Sequence, residues 1–221
     1  MHTTNGQLTS VTLGDPPQAW TDAGFHVGHG DLVTLGSTVV QLTGSGAGFE
    51  GWSLDGVEGP LDGLPHLPYA RNDADAHGNG DAGGGAHRTA NPNGISRIDH
   101  VVVRTGDCER TIAAFSDAGF EVRGGRSTTS YGAPMRQTFF WAGDVILELV
   151  GPDEGEPTTD EPTSIFGLAL VAEDLDATAA SLGELLGSPK EAVQPGRRIA
   201  GLRHRQLGMS LPIAVMSPHV R

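Results

Sequence analysis

At 221 residues, 37% of them hydrophobic, the chain can bury one ordinary core or two small ones and no more. Its formal charge of -13 opposes nucleic acid and anionic membrane surfaces as partners, since either would be repelled unless the few arginines were tightly clustered. The 33 glycines and 14 prolines exclude long helical bundles, and the single cysteine, Cys108, excludes an internal disulfide and any multi-cysteine metal site.

The opening residues MHTTNGQLTS lack the apolar run of a secretion signal, and no stretch approaches the ~20 apolar residues needed to cross a bilayer. A cytoplasmic protein with a small-molecule partner is expected. The first predicted strand is L-T-S-V-T-L. Asp15 is then placed to cap a helix with Pro16 at its first position, and A-G-F-H-V and L-V-T-L-G-S-T-V-V-Q-L supply further strands. G-F-E-G-W-S-L-D-G-V, residues 48–57, reads as a second opening strand whose helix has been replaced by a turn-rich stretch. Residues 59–94 read as a flexible Gly/Asp/His-rich linker. Within it, Asp73 to Asp81 imitates a calcium loop but lacks the closing glutamate, since Gly84 stands at its twelfth position.

The next module is the most regular. R-I-D-H-V-V-V-R alternates as a strand, with Ile98, His100 and Val102 expected on one face and Val101 and Val103 on the other. Asp107 caps a helix whose stripe is Cys108, Ile112 and Phe115, and Gly119 stops it. F-E-V begins another strand, and M-R-Q-T-F-F-W-A and V-I-L-E-L-V meet at an A-G-D hairpin. The phrase F-S-D-A-G-F-E-V here echoes W-T-D-A-G-F-H-V at residues 20–27. A further module runs from I-F-G-L-A-L-V, through a helix striped by Leu175, Ala179, Leu182 and Leu186, to P-I-A-V-M-S-P. A unit with one apolar sheet face cannot bury that face alone, so modules must pair.

Two residue clusters invite chemistry. Glu148 inside V-I-L-E-L-V needs a partner or a wet cavity to offset its burial, and His100 is expected in the same hollow. Arg197, Arg198, Arg203, His204 and Arg205 concentrate positive charge, read by default as surface balance. Arg136, Phe139, Phe140 and Trp141 can line a pocket or a core.

D-H-V-V-V opening the central module, E-L-V-G-P closing it and V-A-E-D-L-D-A-T entering the next helix resemble the vicinal oxygen chelate superfamily, which includes glyoxalase, extradiol dioxygenases and bleomycin-resistance proteins. The resemblance covers about residues 95–218 well and 7–57 weakly. It implies an α+β fold of repeated βαβββ modules forming a cup-shaped, curved mixed sheet, with a shortened extra module in a 1–58 lobe and the complete pair in 95–221. In catalytic members one divalent metal is held from the first and last strands of each module. Carried over, those positions are His100 and Glu148, then Gly167 and Ala214, of which the last two have no donor.

The resemblance therefore implies a small organic molecule bound in the cup without a complete metal site, with His100, Glu148, Arg136 and Phe140 around it. The alternative is a lyase, isomerase or dioxygenase using zinc, nickel, manganese or iron. There Gln41, aligned with Glu148, joins His100 and Glu148 as a third ligand, and Glu148 also serves as acid or base. A structural or regulatory module without ligand is the third reading, and a homodimer is compatible with all of them. The strand lying beside the central module discriminates: the one bearing Gln41 favours the metal, the one bearing Ala214 disfavours it.

Overall fold

The computed structural model describes residues 6–68, 90–129 and 133–219. They form two open sheets and four short helices around one continuous core.

The smaller sheet contains β1 (Leu8–Leu13), β2 (Leu32–Leu35), β3 (Thr38–Leu42) and β4 (Phe49–Leu54), in the order β2-β3-β1-β4. Helix α1 (Pro17–Asp22) joins β1 to β2. A-G-F-H-V does not become a strand, so this module has one fewer than its template. Nor does Asp15 cap α1, whose N-cap is Pro16. The Asp15 carboxylate instead accepts the Trp20 indole N–H at 3.0 Å and the Ser210 backbone N–H at 2.8 Å, so it ties the first module to the last. The tight turn between β2 and β3 needs Gly36, with φ at +64° and Arg97 Cβ lying 2.8 Å from where a Cβ would sit.

The larger sheet begins with β5 (Ile95–Arg104), followed by α2 (Cys108–Asp117), β6 (Val122–Thr128), β7 (Met135–Ala142) and β8 (Val145–Pro152). The final module is β9 (Ser164–Ala172), α3 (Leu175–Leu182), β10 (Lys190–Glu191), β11 (Arg198–Gly201), α4 (His204–Leu207) and β12 (Ile213–Met216). Asp107 accepts from Arg110 N, as expected, and Asp174 likewise caps α3 by accepting from Asp176 N and Ala177 N.

Strand order is β10-β11-β12-β9-β5-β8-β7-β6. Each module places its last strand parallel to its first, as in β5–β8, β9–β12 and β1–β3. Two modules then join through antiparallel first strands, β5 against β9. The smaller sheet repeats that junction. β1 meets β4 with register shifts between Leu8 and Ser10 and between Thr12 and Leu13, and β5 meets β9 with shifts between Ile98 and His100 and between Val102 and Val103. Residue for residue, β4 is the counterpart of β9. The echo continues beyond it, for Trp52 N donates to Pro65 O as Leu168 N donates to Pro212 O. The fourth module survives as its opening strand and one parallel bridge, Trp52 to His66.

Leu61 and Leu64 are buried, and Asn93 caps the start of β5 while its amide reaches Ala23 O. Within the stretch expected to be a flexible linker, residues 59–68 and 90–94 thus carry buried anchors at Leu61, Leu64, Asn91 and Asn93. The calcium-loop imitation, residues 73–81, lies outside the described residues. Trp52 and Phe115 meet across the halves with ring centroids 6.4 Å apart, so the small sheet covers the helical side of the large one. No helix among the described residues is long and apolar enough to cross a membrane.

Candidate functional site

A β-bulge organises the site. Ile98 pairs with Leu170 and His100 with Ala169, so β5 spends two residues where β9 spends one, and the extra residue is Asp99. Simple alternation put Ile98 and His100 on one face. The bulge instead turns Ile98 into the core with Val101 and Val103, all at most 1% exposed, and leaves His100 and Val102 on the open face away from the helices.

Glu148 pairs in register with Val102 on one side and Phe139 on the other, so it occupies that same open face. His100 Nε2 lies 3.4 Å from Glu148 Oε2 and His100 Nδ1 lies 2.9 Å from Asp99 Oδ2. On the far side of Glu148, Gln137 Nε2 donates to Glu148 Oε1, while Gln137 Oε1 accepts from Arg126 Nε. On the far side of Asp99, Arg197 makes a paired contact, with N–O distances of 2.8 and 3.2 Å, and also donates to Ser217 O. A chain of polar side chains, Arg126–Gln137–Glu148–His100–Asp99–Arg197, therefore runs across β6, β7, β8 and β5 and ends at Arg197, just before β11.

Arg197 is only 1% exposed, so its charge must be compensated inside the protein, and Asp99 does this. Burial pushes the Asp99 carboxyl upward, but hydrogen bonds from His100 and Arg197 and the arginine's charge outweigh it and hold the group well below the usual carboxylate range. An ionised Asp99 accepts the His100 Nδ1 proton, which orients the imidazole with Nε2 toward Glu148. The default reading of the arginine cluster holds for Arg198, paired with Asp176, but not for Arg197.

Of the expected ligand-binding residues, His100 and Glu148 come together, whereas Arg136 and Phe140 face the opposite side. Arg136 bonds Glu109 at the start of α2, and the Phe140 ring packs 5.1 Å from Phe115. Strand alternation is the reason: the open-face positions of β7 are their neighbours Gln137 and Phe139. Gln41 does not join the pair either. It stands opposite Thr12 on β3, as Glu148 stands opposite Val102 on β8, which makes it Glu148's counterpart in the other sheet rather than its neighbour.

The residues present supply only half of the donor set that the resemblance implies for a metal. It is the strand bearing Ala214 that completes the sheet beside β9, and Ala214 carries no donor. Gly167, opposite Val102, has no room for one, because a Cβ there would lie 2.6 Å from the Pro212 carbonyl oxygen. Among the described residues no three His, Cys, Asp or Glu side chains are grouped to hold an ion. Cys108 is buried against Pro152, and its thiol is pushed up to about 11 by that burial, as a packing residue requires.

No protein-family model matches the chain, and no curated protein does. Solved structures do. A mutant of 4-hydroxymandelate synthase from Streptomyces coelicolor aligns over 96% of this chain and 92% of its own, with a TM-score of 0.57 at 11% identity. A xylose isomerase-like TIM barrel/4-hydroxyphenylpyruvate dioxygenase fusion protein aligns over 96% of this chain and 49% of its own, with a TM-score of 0.59 at 10% identity. Methylmalonyl-CoA epimerase from Mycobacterium tuberculosis covers 60% of this chain and 92% of its own at 19% identity, with a TM-score of 0.45. Paired βαβββ modules, antiparallel first strands, the curved mixed sheet and the two alignments that span 96% of this chain lead to one conclusion: the chain has the vicinal oxygen chelate fold.

Proposed function

We propose that the open face of the eight-stranded sheet binds a small organic molecule, with His100 and Glu148 as polar anchors rather than as half of a metal centre. The observation that carries this reading is the absence of donors at Gly167 and Ala214, combined with a His100–Glu148 pair in which His100 donates to Asp99 and Glu148 accepts from Gln137. A carboxylate held in this way has two capacities. It accepts a hydrogen bond from a bound molecule, and it can take a proton from one. Around it Phe139 is half-buried and Trp141 and Phe166 are 49% and 46% exposed, an apolar lining of the kind small-molecule sites use around a few fixed polar groups.

Metal analysis and thermal-shift screening on protein purified without chelator test the reading together. Substoichiometric metal and stabilisation by at least one ligand class are expected, worth about 2.7 kcal/mol at a hundred times Kd, with the stabilisation lost in Glu148→Gln. Stoichiometric manganese, iron, nickel or zinc that disappears in His100→Ala would replace this reading with a metal centre. Silence across a broad panel would leave the structural role.

A further inference from the structure

We infer that the molecule bound on the open face is an organic acid, and that Arg126 is the residue that selects it by holding its carboxylate or phosphate. This rests on the reading above and names the ligand class for the same face.

Most arginines among the described residues have an acidic partner: Arg97 has Glu173, Arg104 has Glu161, Arg110 has Asp62, and Arg197 has Asp99. Arg126 has none among the described residues, in a chain of formal charge -13 where carboxylates abound. It is nevertheless a positioned group. Its Nε donates to the Gln137 side-chain oxygen and its guanidinium lies over the Phe139 ring, 5.8 Å from the centroid. Both anchors leave the two terminal nitrogens of the guanidinium available, and those are the donors that grip a carboxylate or phosphate in a forked contact.

The placement relative to Glu148 argues for recognition. One amide spans the gap, with Gln137 accepting from Arg126 and donating to Glu148, so the cation and the carboxylate are held a single side chain apart. A direct Arg126–Glu148 pair would have neutralised both. The interposed amide keeps the positive group separate from the acidic one, and Phe139 pairs with Glu148 in register on the same open face. The matching ligand is a compact acid with its anionic group at Arg126, an apolar or aromatic body against Phe139, and a hydroxyl or amine donating to Glu148.

A matched series of probes tests this: phenyllactate, its uncharged amide, and phenethylamine, titrated while the Trp141 indole resonance is followed by NMR. Phenyllactate is expected to bind at least tenfold more tightly than its amide at low salt, and that advantage should shrink as salt is raised. Arg126→Gln should abolish that preference and Arg126→Lys should restore part of it. Arg126 is an exposed edge-strand residue, so both variants are expected to fold, and unchanged thermal unfolding verifies this. Equal binding of all three probes, or phenyllactate binding untouched by Arg126→Gln yet lost in Glu148→Gln, would overturn the assignment while leaving ligand binding on this face intact. No perturbation by any of the three would overturn it as well, and silence of the broad screening panel is what separately removes the underlying reading.

Discussion

The two sheets are built on the same junction and finished differently. β1 against β4 and β5 against β9 share strand direction and the positions of two bulges, with a third between Ile95 and Arg97 found only in the larger sheet, so Thr9 corresponds to Asp99, Ser10 to His100, Gln41 to Glu148 and Gly51 to Gly167. In the larger sheet every module keeps its helix. In the smaller one β4 has lost helix and outer strands, and Trp52 from that strand lies fully buried against Phe115 of the neighbouring half. A half-module is tolerated because a complete one supplies the surface that its own helix would have covered. The chemistry diverges too: the bulge residue is charged and paired with a buried arginine in one sheet, and is a threonine bonded to Ser53 O in the other.

Several substitutions break or sharpen this comparison. Trp52→Ala removes the side chain that joins the halves and should cost about 3–5 kcal/mol in denaturant unfolding. One cooperative transition is expected in the wild type, and two separate transitions would show that the halves are independent. Arg197→Met should cost a similar or somewhat smaller amount, about 3–4 kcal/mol, because it leaves Asp99 buried without its cation. The pH dependence has a definite sign. Asp99 has a folded pKa below its unfolded value of about 3.9, so its contribution is complete above that value and drains away as the pH falls below it toward the folded value. Asp99→Asn should flatten the acid limb of the stability profile, and an unchanged limb would refute the buried pair.

Smaller effects follow at the seam. Asp62 receives hydrogen bonds from Thr111, Thr163 and Arg110, which overcome its burial and lower its pKa. Asp62→Ala should therefore cost about 1–3 kcal/mol by chemical denaturation, through unpaired hydroxyls beneath the 59–68 segment. At the bottom of the range, Gln41→Ala should change stability by no more than about 0.5 kcal/mol and leave ligand binding untouched. A loss of binding there would join the two sheets in one site and undo the comparison.

Much of the fold was legible locally. The cap at Asp107, the A-G-D hairpin and the repeated opening strands are short-range signals, and each became the element it announced. The degenerate strand at residues 48–57 was legible too, because its Gly and apolar spacing matches that of β9. The site was only half visible. His100 and Glu148 stood out as polar residues in apolar strands, but Gln137 was passed over and Phe139 was named only in one group with Arg136 and Phe140, since alternation tells which residues share a face and not which face is open. Asp15 misled for a related reason: a capping residue is read from its neighbours, and of its two actual partners, Trp20 and Ser210, the second is 195 positions away.

The amino-acid sequence alone determined the modules, because helix caps, hairpin turns and apolar periodicity are settled within a dozen residues. Tertiary structure decided which modules share a sheet, that an extra residue at Asp99 turns His100 outward, and that Arg197, 98 residues farther on, holds Asp99 in place. Those outcomes depend on strand register and buried charge compensation, and both are properties of contacts between segments that no single segment encodes.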